Sequence, residues 1–174
     1  YSDGTSAVEA GIRAARAITN RHEFISCYRD FHGKSLAAVS CAQMLRGDVH
    51  SYGPTRAPGF YMVPRPDPYR PLWVKADGTI DTERYISFYE EFILESTVGN
   101  LAAFVLEPAQ GWAGSIFPPD DFFPGLKKLC EKYHILLLDD EVLAGMGRTG
   151  EWLCMNHWNV VPDIITLGKS LGNG

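Results

Sequence analysis

Two short apolar runs near the end of the chain each lead into charged residues. Ile135 to Leu138 runs into Asp139, Asp140 and Glu141, and Ile164 to Leu167 runs into Gly168 and Lys169. Runs of about four Leu and Ile residues bounded by charge and Gly predict strands buried on both faces, the habit of parallel sheets. Such sheets hold ligands just beyond the carboxyl ends of their strands. A carboxylate and an amine delivered there are suited to catalysis; taken alone, they read equally as a surface ion pair at a sheet edge.

A second candidate is the start of the first helix. Gly4, Thr5 and Ser6 stand where a helix N-terminus exposes unpaired backbone N–H groups, with hydroxyls beside them, and an anion is favoured there by hydrogen bonds and the helix dipole. A Ser/Thr cap is also ordinary helix punctuation, and Asp3 repels an anion unless its side chain points away. Phe31 and His32 supply an aromatic or imidazole ring near a turn.

Several other chemistries are excluded by spacing. Gly-Lys-Ser occurs at Gly33 and at Gly168, but a phosphate loop needs a glycine five positions earlier, where Tyr28 and Asp163 stand. No G-x-S-x-G elbow is present. Cys154 and His157 form the one Cys-x-x-His spacing, without a second pair, so no metal site is expected.

The elements that must position these residues alternate. Val8, Ile12, Ala15 and Ile18 recur among Glu9, Arg13 and Arg16, predicting a helix over Thr5 to Ile18 with Ser2, Asp3 and Gly4 as loop and cap. A strand is predicted at Phe24 to Tyr28, a turn at Asp30 to Gly33 and a small-residue helix at Ser35 to Leu45. The stretch from Gly47 to Gly78, rich in Pro and aromatics, reads as a long excursion with a short strand at Phe60 to Val63. Further on come a helix at Thr82 to Glu95, a buried strand at Leu101 to Leu106 ending in Glu107-Pro108, and a helix at Phe122 to Tyr133. Alternating buried strands and helices predict an α/β domain, a mostly parallel sheet sandwiched by helices.

Composition narrows the partners. The 174 residues carry 16 Lys and Arg against 21 Asp and Glu, with no basic stripe, which argues against nucleic acid or an anionic membrane surface. No apolar run approaches the roughly 18 to 20 residues that span a bilayer. Four widely spaced cysteines within apolar stretches fit buried thiols in a reduced, cytoplasmic compartment. Residue 1 is Tyr, the first segment is already a capped helix and the last residues stop in a loop, so the chain is expected to be an internal fragment.

Together, the phosphate seat, the carboxylate, the ring and the lysine are what pyridoxal 5'-phosphate requires. Its phosphate needs fixed donors, its aldehyde an amine, its ring a planar neighbour, and its ring nitrogen a buried carboxylate that keeps it protonated. The runs Leu138 to Gly150 and Val161 to Gly174 resemble the class III aminotransferase signature. Gly4-Thr5 with Ala7 to Ala10, Phe31-His32-Gly33, and Glu107-Pro108 with Gln110-Gly111 resemble the family's other marks in the same order.

The resemblance implies a fold-type I pyridoxal phosphate architecture. Residues 1–174 would be part of the cofactor-binding large domain, without an N-terminal segment and a C-terminal small domain. Lys169 would bond the aldehyde and move the substrate proton, its pKa lowered by a desolvated site. Asp140, chosen over Asp139 because Glu141-Val142 must follow it in the motif, would partner the ring nitrogen. Val142 would lie on one ring face and Phe31 or His32 on the other, with Phe31 in the usual stacking position. Gly4 and Thr5 would bind phosphate, and Glu107 would stand on the substrate side.

The implied reaction is ping-pong transfer of an amino group from an ω-amino acid or amine to a 2-oxo acid, by a homodimer. Leu143 replaces a glutamine common in the family, which resembles the pyruvate-using group. The alternatives are a racemase or aminomutase of the same fold, or a fragment inert by itself.

Overall fold

The computed structural model describes residues 1–42 and 56–172. Five strands, β1 (Glu23–Cys27), β2 (Phe60–Val63), β3 (Leu101–Leu106), β4 (Leu136–Asp140) and β5 (Ile164–Thr166), form one sheet in the order β2-β1-β3-β4-β5. Every pairing is parallel. All five carboxyl ends therefore lie on one edge, and the segments following them share the space beyond it.

Helices cover both faces. α1 (Gly4–Thr19) and α2 (Leu36–Cys41) pack on one side, where Val8, Ile12 and Ala15 of α1 meet Phe24, Val105 and Leu138. α3 (Thr82–Ser96) and α4 (Phe122–Lys132) pack on the other, with Tyr85, Tyr89, Phe122 and Leu126 against Ile25, Phe104 and Leu137. The same strand thus sends Leu138 to one layer and Leu137 to the other, as the two-residue period of a strand requires.

α1 starts where it does because Asp3 caps it. The Asp3 carboxylate accepts from the Ser6 backbone N–H at 2.8 Å, and the Asp3 N–H donates to the Ser6 hydroxyl at 3.3 Å, a reciprocal box. Gly4, read as loop, is the first helical residue. α1 ends at Asn20 in a left-handed conformation, φ 55°.

Two expectations are corrected. β5 is an edge strand among the described residues, and Ile165 is 40 % exposed, so this strand is not buried on both faces. α2 ends at Cys41 rather than Leu45; Ala42 is extended, and residues 43–45 lie outside the described residues, as does the first part of the Pro-rich excursion. Among the described residues, no helix is long and apolar enough to cross a membrane, and all four cysteines are buried and free.

Candidate active site

A cavity of about 600 Å³ lies beyond the carboxyl edge of the sheet, lined by Gly4, Thr5, Phe31, His32, Glu107, Asp140, Val142 and Lys169 together with Lys34, Trp112 and Leu143. All eight residues singled out from the sequence meet there. They come from the start of α1, from the last residue of β4 and from the segments after β1, β3, β4 and β5.

β4 settles which aspartate faces the cavity. Asp140 shares the face of Leu138, toward α1, while Asp139 shares the face of Leu137. Asp139 is wholly enclosed, and burial together with the charges of Glu141 and Asp140 pushes its carboxyl well above the usual range. Asp140 is anchored at both oxygens. Oδ2 lies 2.7 Å from His32 Nδ1, and Oδ1 accepts from the Val142 N–H at 3.1 Å and from the Thr166 hydroxyl at 3.3 Å.

That contact defines His32. Its imidazole is directed at the Asp140 carboxylate, leaving Phe31, half-buried, as the aromatic wall. Burial disfavours charge on His32, but hydrogen bonding to Asp140 and the charges of Asp140 and Asp30 outweigh it and raise its pKa to about 10. Phe31 is held by its neighbour across the site: its N–H donates to Glu107 Oε1 at 2.7 Å, and the Gly111 N–H donates to Oε2 at 3.2 Å. Burial and the charge of Asp30 nevertheless raise Glu107 to about 7, against the opposing pull of His32.

The start of α1 is packed tightly into this edge. A Cβ on Gly4 would meet Val142 Cγ1 at 2.5 Å, so only glycine lets the helix approach the tip of β4 so closely. The Thr5 side chain meets the loop that leads into α2. Its hydroxyl pairs with the Ser35 hydroxyl at 2.9 Å and accepts from the Lys34 N–H at 3.2 Å, while Glu9 accepts from Ser35, Ala37 and Ala38 and ties α2 to α1. Asp3 lines the cavity as well, its carboxylate turned to the Ser6 N–H and its pKa lowered by that bond.

Lys169 opens a 3-10 turn, Lys169–Gly172, with φ 45°, a left-handed conformation uncommon outside glycine. It is exposed, in contrast to the desolvated lysine that the family resemblance implied. The physical reason is its place after edge strand β5, which no further strand covers among the described residues.

Four residues of this region have no role assigned from the sequence. Trp112 rides on a short hairpin closed by the Gln110–Ile116 bridge and stacks on Phe31, centroids 5.3 Å apart and planes at 23°. Asp30, Arg65 and Gln110 form a buried cluster behind His32, in which Gln110 Nε2 donates to Asp30 Oδ1 at 2.8 Å and Arg65 Nη1 lies 3.6 Å from the same oxygen. Gln110 belongs to the Gln110-Gly111 mark, and Trp112 follows it directly in the chain.

The cavity suits pyridoxal 5'-phosphate. It offers an amine, an anchored carboxylate, an aliphatic and an aromatic wall, and a helix start at Gly4.

The profile of the aminotransferase class-III family matches residues 1–174. The alanine/serine racemase of Pyrococcus horikoshii is 35% identical over 178 residues, 98% of this chain and 37% of that protein. The taurine–pyruvate aminotransferase of Bilophila wadsworthia is 37% identical over 147 residues, 84% of this chain and 31% of that protein. Among solved structures, the taurine:2-oxoglutarate aminotransferase of Bifidobacterium kashiwanohense, in complex with PLP and glutamate, superposes with a TM-score of 0.85 at 32% identity, over 96% of this chain and 37% of that one. The chain thus spans well under half the length of these relatives.

Proposed function

The chain belongs to the class III aminotransferases, and we propose that it carries the cofactor face of an enzyme that moves an amino group from an ω-amino acid or amine to a 2-oxo acid. The observation that supports this most is the convergence of Lys169, Asp140 and the Gly4–Thr5 helix start on one cavity between Val142 and Phe31. Residues 1–174 are assigned to the large domain, and the complete enzyme to a cytoplasmic homodimer. Alone, with Lys169 exposed, the fragment is expected to be inactive.

Pyridoxal 5'-phosphate, when bound, supplies an electron sink for the charge that develops at the substrate carbon. Lys169 would hold its aldehyde carbon and, once a substrate amine takes that place, move the proton at the substrate carbon as base and then acid. Asp140 would keep the ring nitrogen protonated through its charge and a hydrogen bond. Val142 and Phe31 would wall the two ring faces, and the backbone N–H groups of Gly4 and Thr5 would donate to the phosphate. Glu107, raised to about 7 on the substrate side, would hold the substrate amine when ionised. Donor and acceptor would use the same cavity in turn, a ping-pong order.

Leu143 lines the cavity, and its resemblance to the pyruvate-using group at that position makes pyruvate the favoured acceptor. The taurine–pyruvate enzyme is consistent with it; the taurine:2-oxoglutarate structure, at similar identity, represents the competing choice. A second reading, racemisation by the same lysine and aspartate without keto product, is favoured by the likeness to the alanine/serine racemase.

Borohydride reduction of the complete protein after incubation with pyridoxal phosphate, followed by peptide mapping, tests the site. A label at Lys169 is expected; a label at Lys34 or Lys75, or none, overturns it. Keto product from an amine donor with pyruvate separates transamination from racemisation.

A further inference from the structure

His32 stands between two carboxylates. Nδ1 lies 2.7 Å from Asp140 Oδ2, and Nε2 lies 3.8 Å from Asp30 Oδ2, an ion-pair rather than a hydrogen-bond distance. The ring is 2 % exposed, and Nε2 has no other partner. A neutral imidazole carries a hydrogen on one nitrogen and a lone pair on the other. Whichever tautomer forms, one lone pair would face an anionic oxygen in a region closed to water. The doubly protonated ring alone presents a donor to both.

Asp30 cannot turn away to relieve this. Its Oδ2 accepts from the Cys27 N–H at 2.9 Å, its Oδ1 accepts from Gln110 Nε2 at 2.8 Å, and Arg65 Nη1 lies 3.6 Å off. Arg65 is fixed in turn, donating to the Glu107 and Pro108 carbonyls at 2.8 Å each. The groups facing this assembly are Asp140 at the end of β4, Glu107 after β3, Cys27 on β1 and Cys41 on α2, with Arg65 after β2. Both thiols are raised by burial and stay uncharged.

We infer that Asp30 is a positioning residue for the reaction, acting through His32: it holds the imidazole as a cation, paired in charge with Asp30 at Nε2 and donating from Nδ1 to Asp140, and thereby fixes the Asp140 carboxylate in one orientation toward the cofactor's ring nitrogen. This rests on the cofactor assignment above, but its first consequence, the charge on His32, is read without cofactor.

The test is an NMR titration of the histidine ring nitrogens in the complete protein without added pyridoxal phosphate, with His32 assigned by His32→Gln. Parent His32 signals should remain those of imidazolium to about pH 9, against an ordinary midpoint near 6.5. Asp30→Asn, which keeps the Gln110 side of the site polar, should lower the midpoint by about one unit or more, a tenfold change in proton affinity. A parent His32 that titrates below about pH 7.5 overturns the inference whether or not the variant folds. So does an Asp30→Asn midpoint equal to the parent's.

With pyridoxal phosphate added, the absorbance of the Asp30→Asn complex should change with pH where the parent's does not. An absence of any Lys169 label after borohydride would instead remove the cofactor assignment, while the titration still decides the hold of Asp30 on His32.

Discussion

Gly33→Ala is the sharpest perturbation of the phosphate end of the cavity. Gly33 has φ 123°, which L side chains rarely adopt, and a Cβ there would overlap the Thr5 side chain and approach the Thr5 Cα at 2.9 Å. The strained backbone costs about 1–3 kcal/mol. The overlap adds about 1–3 kcal/mol, because the neighbour is the backbone of a helix rather than a flexible side-chain tip. α1 cannot retreat freely: Asp3 and Ser6 lock its first turn, and Gly4 is pressed against Val142. The loop must therefore give, and Phe31 and His32 move with it. If about 2 kcal/mol of the total falls on the bound state, the dissociation constant for pyridoxal phosphate rises about thirtyfold. Gly99→Ala is the control, with φ 75°, no atom within 4 Å of the new Cβ and a position before β3, away from the cavity. It should lose about 1–2 kcal/mol of stability and leave affinity unchanged. Fluorescence titration with the cofactor and urea unfolding of both complete proteins measure this. A Gly33→Ala protein that binds within about twofold of the parent, with the stability of Gly99→Ala, would refute the packing argument.

Two further substitutions probe the walls. For Glu107, raised to about 7 from 4.5, the native state binds the proton more tightly than the unfolded chain, so its contribution to stability falls by about 3 kcal/mol as pH rises through that window. Glu107→Gln should flatten that slope in urea midpoints between pH 4.5 and 7, and an unchanged slope would show the group to titrate normally. Trp112→Ala removes the ring stacked on Phe31 and should raise KM for aromatic amine donors about two- to tenfold, with kcat for small donors little changed; equal effects on both would place Trp112 outside the substrate's path.

Much of the fold was legible because its signals are local. Val8, Ile12 and Ala15 announce α1 by their spacing, and Leu101 to Leu106 and Leu136 to Leu138 announce strands by unbroken apolarity. Such apolarity, however, hides which residue faces which layer. The choice of Asp140 over Asp139 rested on motif order, and only packing shows that Leu138 and Asp140 share the face toward α1. The exposure of Lys169 was equally hidden, since it depends on β5 lying at the sheet edge. Asp30 and His32 from one turn, Arg65 from a second segment and Gln110 from a third come together through parallel crossovers, and no spacing along the chain announces such a cluster.

The two neighbouring aspartates of β4 show how one strand serves structure and site at once. Asp139, enclosed with neither carboxylate oxygen hydrogen-bonded, would be costly as an anion, and its raised pKa favours the protonated form. Asp140, one residue on and turned to the opposite face, has a partner at each oxygen and a cation behind it. The charge presented to the cavity by β4 is therefore carried by Asp140, and its setting is the row Asp140, His32, Asp30 and Arg65, in which anion and cation alternate. Removing one member leaves its neighbours buried and unbalanced. In such a row a substitution at Asp30, which does not line the cavity, is felt at Asp140, which does.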